Sequence, residues 1–147
     1  MNMTLDKLTK VIMSEFTTHF ASDAECFYLR DSKENVQSSN VVKLKELGFC
    51  VSEESKMPDV ILYSVDKDWL YLIQSVVNSD VIDEIRFEEL KTLTRSVDKQ
   101  KVFITAFPNS QSFKDNMDRL AWDTVAWIAD TPEHMIHFEK HGTLEPR

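Results

Sequence analysis

Glycine is nearly missing from this chain, with two residues in 147. That excludes the Gly-rich turns by which many proteins cradle phosphate, and it argues against a turn-dense small barrel. Cysteine is equally scarce. Cys26 and Cys50 make no metal-type spacing, and the N-terminal MNMTLDKLTK lacks the features of a secretory signal. Both therefore read as reduced thiols of a cytoplasmic protein, used in packing rather than chemistry. No apolar run approaches the roughly 20 residues that span a bilayer, so no membrane partner is expected. Positive charge is also short: 17 Lys and Arg stand against 25 Asp and Glu, a net charge of −8. Such a field repels nucleic acid, and the scattered basic residues form no arm that would offset it.

What is present is an ordinary globular composition, 42% hydrophobic and 29% charged, in a length expected to make one domain over residues 1–147. Leu5, Leu8, Ile12, Phe16 and Phe20 recur at helical spacing and predict an amphipathic helix over 6–19, with Thr4 as its N-cap. A strand is expected over 25–30 and a polar turn over 31–39. Asn40 is placed to cap a short helix bearing Val41, Leu44 and Leu47, and Gly48 sits where a left-handed residue ends it. A brief strand at 49–51 follows. Two nearly continuous apolar runs, 60–63 and 69–76, read as central strands joined by the turn Asp66-Lys67-Asp68. After a loop at 78–83, a helix over 84–95 has Ile85, Leu90 and Leu93 as its apolar side. Further strands are expected at 101–106 and 124–129, with an edge at 134–138. Between them a helix over 112–120 packs Phe113, Met117, Leu120 and Ala121. The fold class is α/β, a mixed β-sheet flanked by helices.

The stretch from Lys56 to Arg86, KMPDVILYSVDKDWLYLIQSVVNSDVIDEIR, organises the rest. It sets Asp59 at the head of one central strand and Gln74 near the end of the next. With KVFITAFP, LAWDTVAWIAD, PEHMIHF and LEPR, it resembles the C-terminal catalytic domain of BsuBI/PstI-type restriction endonucleases. EFTTHF, FYLRDS and LGF extend the likeness along nearly the whole chain. The resemblance implies a PD-(D/E)xK restriction-endonuclease-like core and omits the family's separate N-terminal domain. It also implies type II DNA cleavage: two carboxylates on adjacent strands hold Mg²⁺, which activates water and polarises the phosphate. A lysine then stabilises the developing charge.

The family pattern is altered within a dozen residues. The first acid matches Asp59 of Pro58-Asp59. The second, a family glutamate, is Gln74 here, in Ile73-Gln74-Ser75-Val76. The family's His-Gly-Pro loop reads Asn78-Ser79-Asp80-Val81, and its Lys-Arg pair reads Ile85-Arg86. An amide brings no charge, so Asp59 alone would be a weak metal ligand, and Arg86 is the one retained basic residue. Asp59, Gln74 and Arg86 thus stand as vestigial catalytic positions, with Glu15 and Asp31 as candidate accessory acids.

Other features read blandly. His134, His137 and His141 suggest a metal cluster, but strand alternation sets the first two on opposite sides. Trp69, Trp122 and Trp127 sit among apolar neighbours and are expected in the core or an interface. Asp80, Asp83, Glu84, Glu88 and Glu89 suit a helix start and would push a DNA backbone away. The expected function is that of an inactive pseudo-nuclease that binds a protein partner in a bacterial or phage defence or counter-defence system. It needs no cofactor. The alternatives are a Mg²⁺-dependent nuclease and a non-catalytic DNA-binding subunit, the latter disfavoured by the charge. Family members commonly dimerise, which implies a homodimer.

Overall fold

Among the described residues, six strands lie side by side in chain order: β1 (Ala24–Leu29), β2 (Val60–Ser64), β3 (Trp69–Ser75), β4 (Gln100–Phe107), β5 (Thr124–Ile128) and β6 (Met135–Phe138). β1, β2 and β3 pair antiparallel, β3, β4 and β5 pair parallel, and β6 returns antiparallel on β5. The sheet is therefore mixed, as the alternation of elements predicts. These features come from a computed structural model, which describes residues 5–29, 38–50, 57–77 and 81–138.

Helices cover both faces. On one side an α-helical segment α1 (Leu5–Val11) passes through a π-helical turn (Ile12–Phe16) into α2 (Thr17–Phe20). Leu8, Ile12 and Phe16 are fully buried there against Val60, Leu62, Tyr71, Ile73, Ile104 and Trp127. Ser14 Oγ donates to the Lys10 carbonyl at 3.0 Å, a back-bond that loosens helical regularity at the π turn. On the other side α3 (Ser38–Leu47) contributes Leu44, and α4 (Glu84–Leu93) contributes Phe87, Leu90 and Leu93. These pack on Ile61, Leu70, Leu72 and Phe103, the alternate residues of the same strands. A short helix α5 (Ser110–Asn116) and a 3₁₀ turn (Met117–Arg119) follow β4. Asn109 Oδ1 caps α5 by accepting from the Ser112 N–H at 2.8 Å. Double coverage explains why β2 and β3 are apolar almost without interruption.

Several boundaries differ from expectation. α3 starts at Ser38, so Asn40 lies inside the helix rather than capping it. Residues 49 and 50 form no strand: Phe49 N–H donates to Leu44 O to close α3, and Cys50 N–H donates to Leu93 O. Gly48 does adopt φ +111°, and a Cβ there would lie 2.5 Å from the Ser96 carbonyl oxygen, so the position demands glycine. On α4 the buried residue is Phe87, and Ile85 is 75% exposed, because Phe87, Leu90 and Leu93 share a face that Ile85 does not. Cys50 is exposed, whereas Cys26 packs against the core, and burial raises the Cys26 thiol pKa. Trp127 is fully buried, but Trp69 and Trp122 are exposed. Met117 is exposed too, outside the core expected for it. Thr4, the turn at 31–37 and Val51 lie outside the described residues.

Candidate functional site

The candidate site forms where the open ends of β2 and β3 meet the start of α4. Asp59 precedes β2 by one residue and is fully buried. Its own N–H donates to Ile73 O at 3.0 Å, and its Oδ2 accepts from the Ser75 N–H at 2.8 Å. The side chain therefore takes a rung of the ladder that a backbone carbonyl would otherwise fill. An aspartate does this well because a charged acceptor makes a stronger bond to a buried N–H than a neutral one.

Gln74, the residue before Ser75, is 4% exposed. Its Oε1 accepts from Arg86 Nε at 2.8 Å. Arg86 reaches it because Asp83 starts α4: Asp83 Oδ1 accepts from the Arg86 N–H at 2.8 Å, fixing the first turn. Arg86 Nη1 also donates to Glu89 Oε1, one turn on, at 3.2 Å. The arginine side chain is 13% exposed, so the charge sits mostly inside the protein, between an amide oxygen and a carboxylate. Ser75 Oγ is buried at the same strand end without a hydrogen-bond partner. Thr105, beside Gln74 in the parallel register, accepts from the Ile82 N–H at 3.2 Å and ties the loop before α4 to β4.

The remaining expected residues are not gathered here. Glu15 lies on the helix of the opposite face, half exposed, 3.7 Å from His19 Nε2. Asp31 and Asp80 lie outside the described residues, as does His141. Ile85 points to solvent, so the position read as the family lysine is not aimed at Gln74. His134 precedes β6 and pairs with Glu133, while His137 sits opposite Val125 within the strand. Among the described residues, no group of three His, Cys, Asp or Glu side chains could hold a metal ion.

These groups fit Mg²⁺ poorly. The ion wants several oxygen ligands in octahedral array and usually one or two carboxylates. Here one carboxylate oxygen and the amide oxygen already accept N–H donors, and a guanidinium stands against the amide. Like unit charges about 4 Å apart repel by about 4 kcal/mol at an effective dielectric near 20, and a divalent ion doubles that. What sequence reading missed was the Gln74–Arg86–Glu89 chain. Its one signal was the spacing of Arg86 and Glu89 by three residues on one helix; nothing local in the sequence marks Gln74 as their neighbour.

The BsuBI/PstI restriction endonuclease domain family matches the chain over residues 4–141. The type II restriction enzyme BsuBI of Bacillus subtilis is 35% identical over 140 residues, covering 95% of this chain and 44% of that enzyme. The type II restriction enzyme AplI of Arthrospira platensis is 35% identical over 81 residues, 55% of this chain and 25% of that enzyme. The solved structure of the SdaI restriction endonuclease superposes with a TM-score of 0.86 at 29% identity, covering 98% of this chain and 46% of that one. The chain thus spans less than half the length of these relatives, and its fold is that of a restriction endonuclease.

Proposed function

The chain belongs to the BsuBI/PstI restriction endonuclease domain family, and from that premise we propose that it is a catalytically inactive member. It acts by binding a protein in a bacterial or phage defence or counter-defence system. One observation carries the inactive reading: the amide at position 74 is hydrogen-bonded to Arg86 at 2.8 Å. A nuclease of this fold needs a second carboxylate there, free to face a metal. The acidic balance, net −8, supports a protein partner over a DNA duplex.

The retained, fully buried Asp59 favours a second reading, an active Mg²⁺-dependent type II endonuclease. Incubation with varied DNA in Mg²⁺ and in Mn²⁺ separates the two. The expected result is no cleavage above a protein-free control. Reproducible cutting that Asp59→Ala abolishes would overturn the inactive reading. Salt-dependent DNA binding without cutting would instead make the chain a DNA-binding subunit.

A further inference from the structure

Where α2 ends at Phe20, the sheet face that it covers opens into a cavity of about 280 Å³. Tyr71, Val102, Val125 and Met135 belong to the apolar cluster of that face and form the inner wall. Strand register carries the face outward to Trp69 beside Gln100 and to His137 beside Val125. Lys67 Nζ at 3.0 Å and the Tyr71 hydroxyl at 3.4 Å both donate to the Phe20 carbonyl, which closes one side. Trp69 and Ser75 stand at opposite ends of β3, about 20 Å apart at roughly 3.3 Å per residue. The cavity is therefore separate from the Asp59 centre.

Three properties of the lining select a ligand. The indole of Trp69 is 39% exposed and tilts at 59° to the Tyr71 ring, with 6.4 Å between centroids. That is an aromatic surface suited to a flat ring. The volume lies just below the roughly 300–1,000 Å³ of most ligand pockets, which leaves room for one heterocycle and a sugar and not for a peptide. The rim is polar. It includes Gln100, Asp123 and His137, and among the described residues the side chains of Gln100 and His137 have no hydrogen-bond or ion-pair partner. Asp123 is set at φ 67°, with its N–H donating to the Phe138 carbonyl.

A carboxamide offers an acceptor and a donor side by side, the pair that matches N6 and N7 of adenine, and a carboxylate accepts from an exocyclic amino group. Phosphate is disfavoured by the Asp123 carboxylate at the rim and by the net charge of −8. We propose that this cavity binds a neutral nucleoside with an amino-bearing base, of which adenosine is the type. The base lies against Trp69, and its amino edge meets Gln100 and Asp123.

The test is a titration of the full 147-residue chain with adenosine, followed by calorimetry. One site with a Kd at or below about 1 mM is expected. AMP is expected to bind at least about threefold more weakly, and uridine, which has no amino group, at least about tenfold more weakly. Trp69→Ala removes the stacking surface and Gln100→Ala removes the amide, and each is expected to weaken adenosine at least about tenfold. Gln100 is exposed at the start of β4, so its variant keeps the fold and guards against a packing effect of Trp69→Ala.

No saturable binding of adenosine up to about 5 mM would overturn the proposal. So would adenosine affinity left unchanged by both substitutions, or uridine binding as tightly as adenosine. AMP binding more tightly than adenosine would also overturn it, by making the cavity a phosphate site. The titration needs neither metal nor DNA, so its result is read separately from that of the cleavage assay.

Discussion

At the closed end of the β2–β3 hairpin, Asp23 reaches across from the start of β1 to accept from Ser64 Oγ at 2.8 Å and from the Asp66 N–H at 2.7 Å. Asp68, at φ 57° in the turn, pairs with Lys99 at 2.8 Å and accepts the Tyr63 hydroxyl. At the open end, Asp59 and Gln74 bind the Ser75 N–H and the Arg86 guanidinium. At the closed end the carboxylates of Asp23 and Asp68 are satisfied by local donors and one lysine. The open end, where the family chemistry calls for two carboxylates, holds one carboxylate and one amide. A cavity of about 280 Å³, lined in part by Lys67, Trp69, Tyr71 and His137, also lies at the closed end, away from Asp59. The difference teaches that a buried strand end can be kept stable either by charge-assisted bonds to backbone or by an internal cation. Only a spare carboxylate would leave room for a metal.

The largest expected effect comes from removing the aspartate at the open end. Asp59→Ala strands the Ser75 N–H in a buried position and is expected to lower unfolding free energy by about 2–3 kcal/mol. Asp59→Asn keeps an acceptor oxygen and is expected to cost about 1 kcal/mol or less. Urea unfolding of both variants checks the pair. Equal losses would mean that the negative charge, and not the hydrogen bond, is what the fold uses there. Ser64→Ala at the closed end comes next, at about 1 kcal/mol, because Asp23 keeps the Asp66 N–H.

Acid should act on the closed end. The Asp66 N–H, followed by the Ser64 hydroxyl, holds the Asp23 carboxyl below its ordinary range. Lys99, followed by Tyr63, does the same for Asp68. A depressed folded value means that the stabilisation is fully present above the ordinary aspartate pKa of about 3.9. It is lost as pH falls below that through the folded values. The melting-temperature gap between the unmodified protein and Asp23→Asn should therefore narrow from pH 7 towards pH 2. A constant gap would show that the neutral amide cannot replace the hydrogen-bond geometry.

Much of the scaffold was legible because the signals are local or periodic. The apolar runs of β2 and β3 with Asp66-Lys67-Asp68 between them gave the hairpin, and Gly48 marked the end of α3. The alternation of helices with apolar strands gave the mixed sheet. Less legible was anything decided by which side of a helix faces the sheet. Ile85 belonged to the apolar set by composition, yet Phe87 is the buried residue of that turn. Spacing alone offered both, and packing against Phe103, 5.1 Å between ring centroids, decided it. Asp23 went unnoticed because its partners lie 41 and 43 residues away. At the site, Asp59, Gln74 and Arg86 were named from the family pattern. Their mutual arrangement, with Arg86 bonded to the amide and Asp59 to the next N–H, needed the three-dimensional register.

The smallest expected effect sharpens the contrast between the two ends most directly. Ile85 is 75% exposed at the start of α4, so Ile85→Lys removes little packing and is expected to change stability by less than about 0.5 kcal/mol. It restores the family's lysine in sequence without altering Gln74 or Arg86. If the amide and its guanidinium are what disable the open end, the variant stays inactive on DNA in Mg²⁺ and Mn²⁺. Cleavage gained by Ile85→Lys alone would locate the defect in the missing lysine and leave Gln74 as an adequate ligand. The Gln74–Arg86 bond would then be a contact that opens when metal and DNA arrive. Measuring cutting and unfolding on the same preparation separates the two outcomes, because neither end of the hairpin needs to lose stability for the activity to change.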